Sequence, residues 1–332
     1  MSAGATHRTV LRAALAIALL PAAVAIAACG DDEKDDSAAA PAPSASEFPE
    51  ADGRTVDQIY GDAVPSDDDT VVAPAGKVAN VGTNRFGFAV FNVDGSQVTD
   101  AEVAIYAGQK SKRAEGPFPA RIESLETDPE FTAQTSSTDP DTARVVYVSE
   151  LELDKPGQWD LVALLNQGET TSSVLVPGGL NVDADKQVPA VGDEAPEIDT
   201  ATADEVVNLD EIDTRDPHDT MHEENFSDVV GEKPVVLTFA TPLLCQSRVC
   251  GPVVDVAEQV KADHEDDDIA FIHQEIYEDN DVNKGLQEQP AAYGLPTEPW
   301  VFVIDEDGTV SSAIEGALSV DELEQAVDKV TG

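Results

Sequence analysis

The sequence predicts two folded units in series, an all-β sandwich over residues 71–188 and an α/β unit with a central sheet over 189–332. Three observations carry this expectation. Short runs of alternating apolar and polar residues, separated by turn signals, fill the stretch from Val71 to Val188. Beyond Val188, buried strand-length runs alternate with segments of helical spacing. Chemistry is also divided, because residues 71–188 contain no His, Cys or Met.

In chain order, residues 1–28 read as a leader: His7, Arg8 and Arg12 are followed by an apolar run, Ala13 to Ile26, and the run ends at Ile26-Ala27-Ala28-Cys29. That ending resembles the lipoprotein box of bacterial export signals, which implies lipidation of Cys29 and an anchor on the extracytoplasmic face of the membrane. No other apolar run approaches spanning length, so an anchored rather than a spanning chain is expected. Residues 29–70 read as an acidic, Ala/Pro/Ser-rich tether. The chain carries 66 Asp and Glu against 19 Lys and Arg. This balance argues against nucleic acid as a partner and suits a surface screened by high salt. Asp67-Asp68-Asp69 and Asp266-Asp267-Asp268 lack the alternating ligands and glycine of a calcium loop, and read as solvated surface.

In the β region, alternation marks strands at Phe86-Phe88-Val90, Val103-Ile105, Val146-Val148 with Leu151-Leu153, Trp159 to Leu165, and Val174-Val176. Asp94-Gly95, Lys155-Pro156-Gly157, Asn166-Gln167-Gly168 and Pro177-Gly178-Gly179 supply the turns. Gly116 to Asp141 is a polar insertion with no assignment. Trp159 is expected in the core. With no soft ligands, this unit reads as a spacer or partner platform rather than a copper site. The Lys-Pro-Gly-Gln-Trp-Asp turn resembles the penultimate hairpin of bacterial immunoglobulin-like modules, which implies an immunoglobulin-like sandwich.

In the second half, expected elements are an early strand at Val206–Ile212, a short helix or turn at Phe226–Val230, strands at Val235–Ala240 and Ile269–Ile276, and a helix within Asp279–Gly294. Trp300–Ile304 and Val310–Glu315 read as a hairpin, and a last helix follows a Ser319/Glu322 capping box. Pro234 to Pro252 is the centre of the unit: a β-branched run, a Thr-Pro break, Cys245, Cys250, and a helix opened by Pro252. First-turn N–H groups and the helix dipole favour a thiolate there. With Cys29 lipidated, Cys245 and Cys250 allow one intramolecular pairing.

The β-α-β-α-β-β-α order, Val-Gly-Asp-Glu-Ala-Pro at 191–196, the strand at 235–240, Tyr293-Gly294, Pro299, Asp307-Gly308 and Gly316 to Ser319 resemble the thioredoxin superfamily, in its redoxin and membrane-anchored disulfide-reductase branch. The resemblance implies a thioredoxin-like fold over 189–332, Cys245 and Cys250 as the redox pair, and a cis peptide before Pro299. It also implies that Glu298 and Pro299 bind substrate backbone. Thioredoxin's Trp-Cys-Gly-Pro-Cys departs here to Cys250-Gly251-Pro252-Val253, with Cys245 five residues earlier; counting from Phe239 favours Cys245 as nucleophile. The C-x4-C spacing also resembles one peroxiredoxin type, but Pro242 and Thr238 stand where its peroxide-orienting threonine and its proline are needed. Copper chaperones of the superfamily pair two thiols with a histidine, and His273 is the one weak candidate metal ligand. His273 is expected to be structural, and His218, Met221 and His222 to lie in a solvated loop.

The expected activity is thiol–disulfide exchange with other exported proteins, by an anchored monomer without a cofactor. A structural staple, a thiol peroxidase and a copper-delivery protein are the alternatives.

Overall fold

Alternation in the first half builds one large sheet with a single apolar interior. The computed structural model describes residues 39–65, 70–137, 143–168, 170–245 and 249–332; the leader, Cys29 and Asp67 to Asp69 lie outside them. A helix α1 (Val56–Asp62) precedes strands β1 (Val64–Pro65), β2 (Thr70–Pro74), β3 (Val78–Asn80), β4 (Gly82–Asn92), β5 (Gln97–Val98), β6 (Glu102–Gln109) and β7 (Glu115–Ser124). A short α2 (Gln134–Ser137) is followed by β8 (Val145–Leu153), β9 (Gly157–Gln167), β10 (Thr170–Leu175) and β11 (Leu180–Asp183). The strands run in the order β1-β10-β9-β6-β7-β8-β4-β2, with β3, β5 and β11 attached at the sides. Phe86, Phe88, Val103, Ile105, Leu151, Leu153 and Trp159 share the interior.

Two features go beyond the expected pattern, and one expectation is corrected. The first strand-length part of the unassigned insertion is β7, which joins β6 to β8; Pro117 and Pro119 had masked its alternation. Val146 and Val148 do not share a face with Leu151 and Leu153. They face the other way, with Val249 and Ala317 of the second unit, while Tyr147 takes the interior position. A strand buried on both faces loses its simple period. Finally, the described part of the expected tether is folded: Phe48, Ala51, Val56 and Ile59 pack on Ala104, Tyr106, Val162 and Leu164. Thr55 and Gln58 form a reciprocal cap on α1. The few apolar residues in a polar-looking stretch are enough to cover the outer face of β6 and β9.

The second half contains α3 (Phe226–Val229), β12 (Val235–Phe239), α4 (Cys250–Asp263), β13 (Ala270–Gln274), α5 (Glu288–Ala292), β14 (Trp300–Ile304), β15 (Val310–Glu315) and α6 (Val320–Thr331). The sheet order is β13-β12-β14-β15, with β12 parallel to β13 and the other pairs antiparallel. This is the β-α-β plus hairpin plus helix arrangement of a thioredoxin-like fold. Every residue of β12 is buried, because its two faces feed different cores. Val236 packs with α4 and α6, and Val235, Leu237 and Phe239 pack with Phe226, Tyr293 and Leu295. Residues 206–212 form no strand, only a 3-10 turn at Leu209–Glu211. The helix expected within 279–294 is confined to α5, since residues 278–287 are held in turns by bonds such as Glu278 N to Gly285 O.

The two sheets meet through largely part-buried polar contacts. Ser319 caps α6 by accepting from Glu322 N, but Glu322 does not complete the expected capping box. Its carboxylate is taken by Arg85, whose Nε and Nη2 each donate at 2.7 Å, and by Arg121 at 2.9 Å. Arg85 also donates to the carbonyls of Glu315 and Ala317. Glu315 in turn accepts from Lys77 N and Val78 N, and burial pushes its carboxyl up.

Two outcomes are expected. Glu322→Ala strands Arg85, only 15% exposed, and should lower stability by about 3 kcal/mol in urea unfolding; a change within about 0.5 kcal/mol would show that the contact contributes nothing. His264 binds Asp267 and Glu324 and so ties the end of α4 to α6. Burial lowers its pKa, yet these two carboxylates raise it overall above 6.5. Its contribution should therefore be complete below the unfolded value and fade as pH rises through the raised folded value. His264→Gln should remove that part of the pH–stability curve, and an unchanged curve would refute the assignment.

Candidate functional site

The cysteine loop leaves the end of the central strand. After Phe239, Ala240 and Thr241 stay buried and Leu243 points out, 67% exposed. The N–H groups of Leu244 and Cys245 both donate to Thr241 O, and Leu243 N donates to Thr214 Oγ1 at 3.1 Å. Cys245 and Cys250 are joined as a disulfide with a Cα–Cα distance of 6.0 Å, within the usual range for such a bridge. Cys245 is half-buried and Cys250 is fully buried.

Helix α4 starts at Cys250 itself, with Val249 as N-cap and no side-chain cap bond. Pro252 is therefore the third helical residue rather than the first. It is tolerated because the first-turn N–H groups have no intrahelical partner anyway. The helix dipole thus points at Cys250 directly and reaches Cys245 only through the bridge.

The Glu298–Pro299 peptide is cis. Phe239 pairs with Trp300 in antiparallel register, which sets Pro299 opposite Ala240, at the sheet end from which the cysteine loop departs. Glu298 is half-buried and accepts from Tyr277 Oη at 2.9 and 3.1 Å. Burial pushes the Glu298 carboxyl up, and burial with the Glu298 carboxylate pushes the Tyr277 phenol up to about 12. The residues implied by the resemblance therefore gather at one end of the sheet, with a protonatable carboxyl among them.

Sequence reasoning missed two features of this end. The first is a roof supplied by the β unit. Ala133 N donates to the Asp255 carboxylate of α4, and a Cβ at Gly251 would stand 2.7 Å from Ser136 Oγ. Asp255 pairs with Arg215 at 2.9 Å, and both are buried. Arg215 also donates to Pro217 O and Phe131 O. Burial pushes the Asp255 carboxyl up, against the pull of Ser136 and Arg215.

The second is a polar cluster behind the loop. The residues around His218 to His222 are not a solvated loop: Met221 is buried against the α4 core, and Asp213, Asp219 and His222 are buried with His273 of β13. His273 Nδ1 lies 2.7 Å from Asp219 Oδ2, and its Nε2 lies 3.3 Å from Ala240 O. Burial lowers the His273 pKa, but Asp219, Asp213 and Glu275 overcome it and carry it up to about 10. Asp219, although buried, is held well below the usual carboxylate range by His273 and His222. Burial pushes Glu275 up against the pull of His273. His273 is thus buried in the core; Asp213 and Asp219 had no visible pattern with it in the sequence because they lie more than fifty residues away from it.

Asp255→Ala should leave the Arg215 charge buried without its partner and cost about 3–5 kcal/mol in chemical unfolding. A variant as stable as the parent would show that the pair is not the anchor of the roof.

No protein-family model and no curated protein matches the sequence. Solved structures give low-scoring likenesses. A Chlorobium tepidum protein provisionally named as the thiol:disulfide interchange protein DsbE is 20% identical, with 43% of this chain and 99% of that chain covered and a TM-score of 0.33. A thioredoxin-family thiol:disulfide interchange protein from Chlorobium tepidum TLS is 18% identical, covering 45% of this chain and 100% of that one at a TM-score of 0.30. A thioredoxin-like superfamily protein is 16% identical over 33% of this chain and 86% of that chain, with a TM-score of 0.27.

Proposed function

We propose that the chain is a thiol–disulfide oxidoreductase that uses Cys245 and Cys250 on exported proteins. The observation that carries this reading is the asymmetry of the pair: a half-exposed Cys245 bridged to a buried Cys250 at the first turn of α4. In the reducing direction, the Cys245 thiolate attacks one sulfur of a target disulfide, and the other target sulfur leaves as a thiolate. The Cys250 thiolate then attacks Cys245 Sγ, forms the internal bridge and expels the second target thiolate, so two electrons pass from the pair to the target. Glu298 and Pro299 are assigned to binding of the target backbone beside the loop.

The Ile-Ala-Ala-Cys ending supports lipidation at Cys29 and action at the extracytoplasmic face. Among the described residues, no helix is long and apolar enough to cross a membrane. The β unit is read as an immunoglobulin-like platform whose segment around residues 131–136 covers the first turns of α4 at Gly251 and Asp255, beside the buried Cys250, with Cys245 as the approachable sulfur. That same cover favours a second reading, in which the bridge is a permanent staple.

Trapping separates the two. Cys250→Ser should accumulate mixed disulfides through Cys245 when mixed with an oxidised exported protein, whereas Cys245→Ser should accumulate few. Equal trapping, or none in either variant, would overturn the assignment.

A further inference from the structure

The cluster behind the cysteine loop has the make-up of a metal centre, and it leaves out both cysteines. We propose that Asp213, Asp219, His222 and His273 bind one divalent transition cation of the Zn2+ class. One ligand atom from each of the four lies within 4.8 Å of all the others. His273 Nδ1 is 2.7 Å from Asp219 and 4.0 Å from Asp213; His222 Nε2 is 3.3 Å from Asp219 and 3.8 Å from Asp213. Metal–ligand bonds near 2.0–2.2 Å in a tetrahedron set ligand atoms roughly 3.3 Å apart, a value these four distances straddle.

Three further observations point to a ligand. His222 is 3% exposed, its Nδ1 has no hydrogen-bond partner among the described residues, and its Nε2 is met by the Asp219 and Asp213 carboxylates. His273 presents Nε2 to the Ala240 carbonyl, which fixes Nδ1 as the coordinating atom. The carboxylates are held from behind, Asp213 by the N–H groups of Arg215 and Asp219, and Asp219 by that of Met221. Such outer bonds orient the ligands of bound metals. Two carboxylates and two imidazoles neutralise a divalent charge and favour a borderline cation over Ca2+ or Mg2+, which take oxygen ligands. His218, its side chain 32% exposed, lies 3.4 Å from Asp213 and 3.0 Å from Asp210 at the edge of the cluster. The cation would lock Ala240 and Met221, and through them the loop and Cys250, so it acts as a brace rather than a reactant. The proposal does not rest on the redox reading.

The test is Co2+ titration of the full chain, purified with chelator and held in excess Mg2+ and Ca2+ to occupy the acidic surface. One equivalent should bind, giving tetrahedral visible bands without a thiolate charge-transfer band, and Zn2+ should displace it. Cys245→Ser/Cys250→Ser should retain the bands, and His222→Gln should lose at least tenfold in affinity while keeping its metal-free circular dichroism. Should His222→Gln fail to fold, X-ray absorption of the Zn2+-loaded parent decides, with an all nitrogen/oxygen shell and imidazole outer scattering expected. No stoichiometric binding, a sulfur shell, or a folded His222→Gln variant with unchanged affinity would each overturn the proposal.

Discussion

The buried ion pair between Arg215 and Asp255 is the contact on which the cysteine-bearing end of this molecule depends. It joins three segments that are far apart in sequence: the loop that carries Asp213 and Asp219, helix α4 that begins with Cys250, and the β-unit segment that ends in α2. Buried pairs contribute little net stability when compared with apolar replacements, but they are costly to break. Here the pair fixes register rather than supplying driving force. Burial of β12 and its neighbours drives folding, and Arg215 determines which loop and which roof lie beside the cysteine helix.

The contact between the two sheets follows the same logic. In a chain with 66 acidic residues and 19 basic ones, each arginine is a scarce partner. Arg85 and Arg121 converge on Glu322, so α6 is held to β4 and β7 by charge where a shared apolar seam is small. The described residues from Ala39 onward accordingly form one compact unit. Helix α4, which begins with Cys250, is therefore braced by the segment around residues 131–136.

Much of the fold was legible because strands and helices in this chain announce themselves by local period. The β12 run, the β14–β15 hairpin and Ser319 ahead of α6 were readable from a few neighbouring residues. What failed depended on distant partners. Glu322 looked like half of a capping box until Arg85 claimed it, and nothing near β8 in sequence showed that Val249 and Ala317 cover its Val146 and Val148 face. The cysteines stood out because thiols are rare here. The Asp213–Asp219–His222–His273 cluster did not, because a Met-His loop rich in aspartate is indistinguishable in sequence from a solvated one.

The central claim is that the Cys245–Cys250 bridge exchanges electrons while the fold persists. The most direct measurement equilibrates the native protein across glutathione buffers and counts alkylated thiols by mass, with circular dichroism recorded on the same samples. The account predicts that both thiols emerge together at a potential above about −300 mV, with the fold intact. A bridge that yields its thiols only in denaturant, or only together with loss of structure, would contradict it.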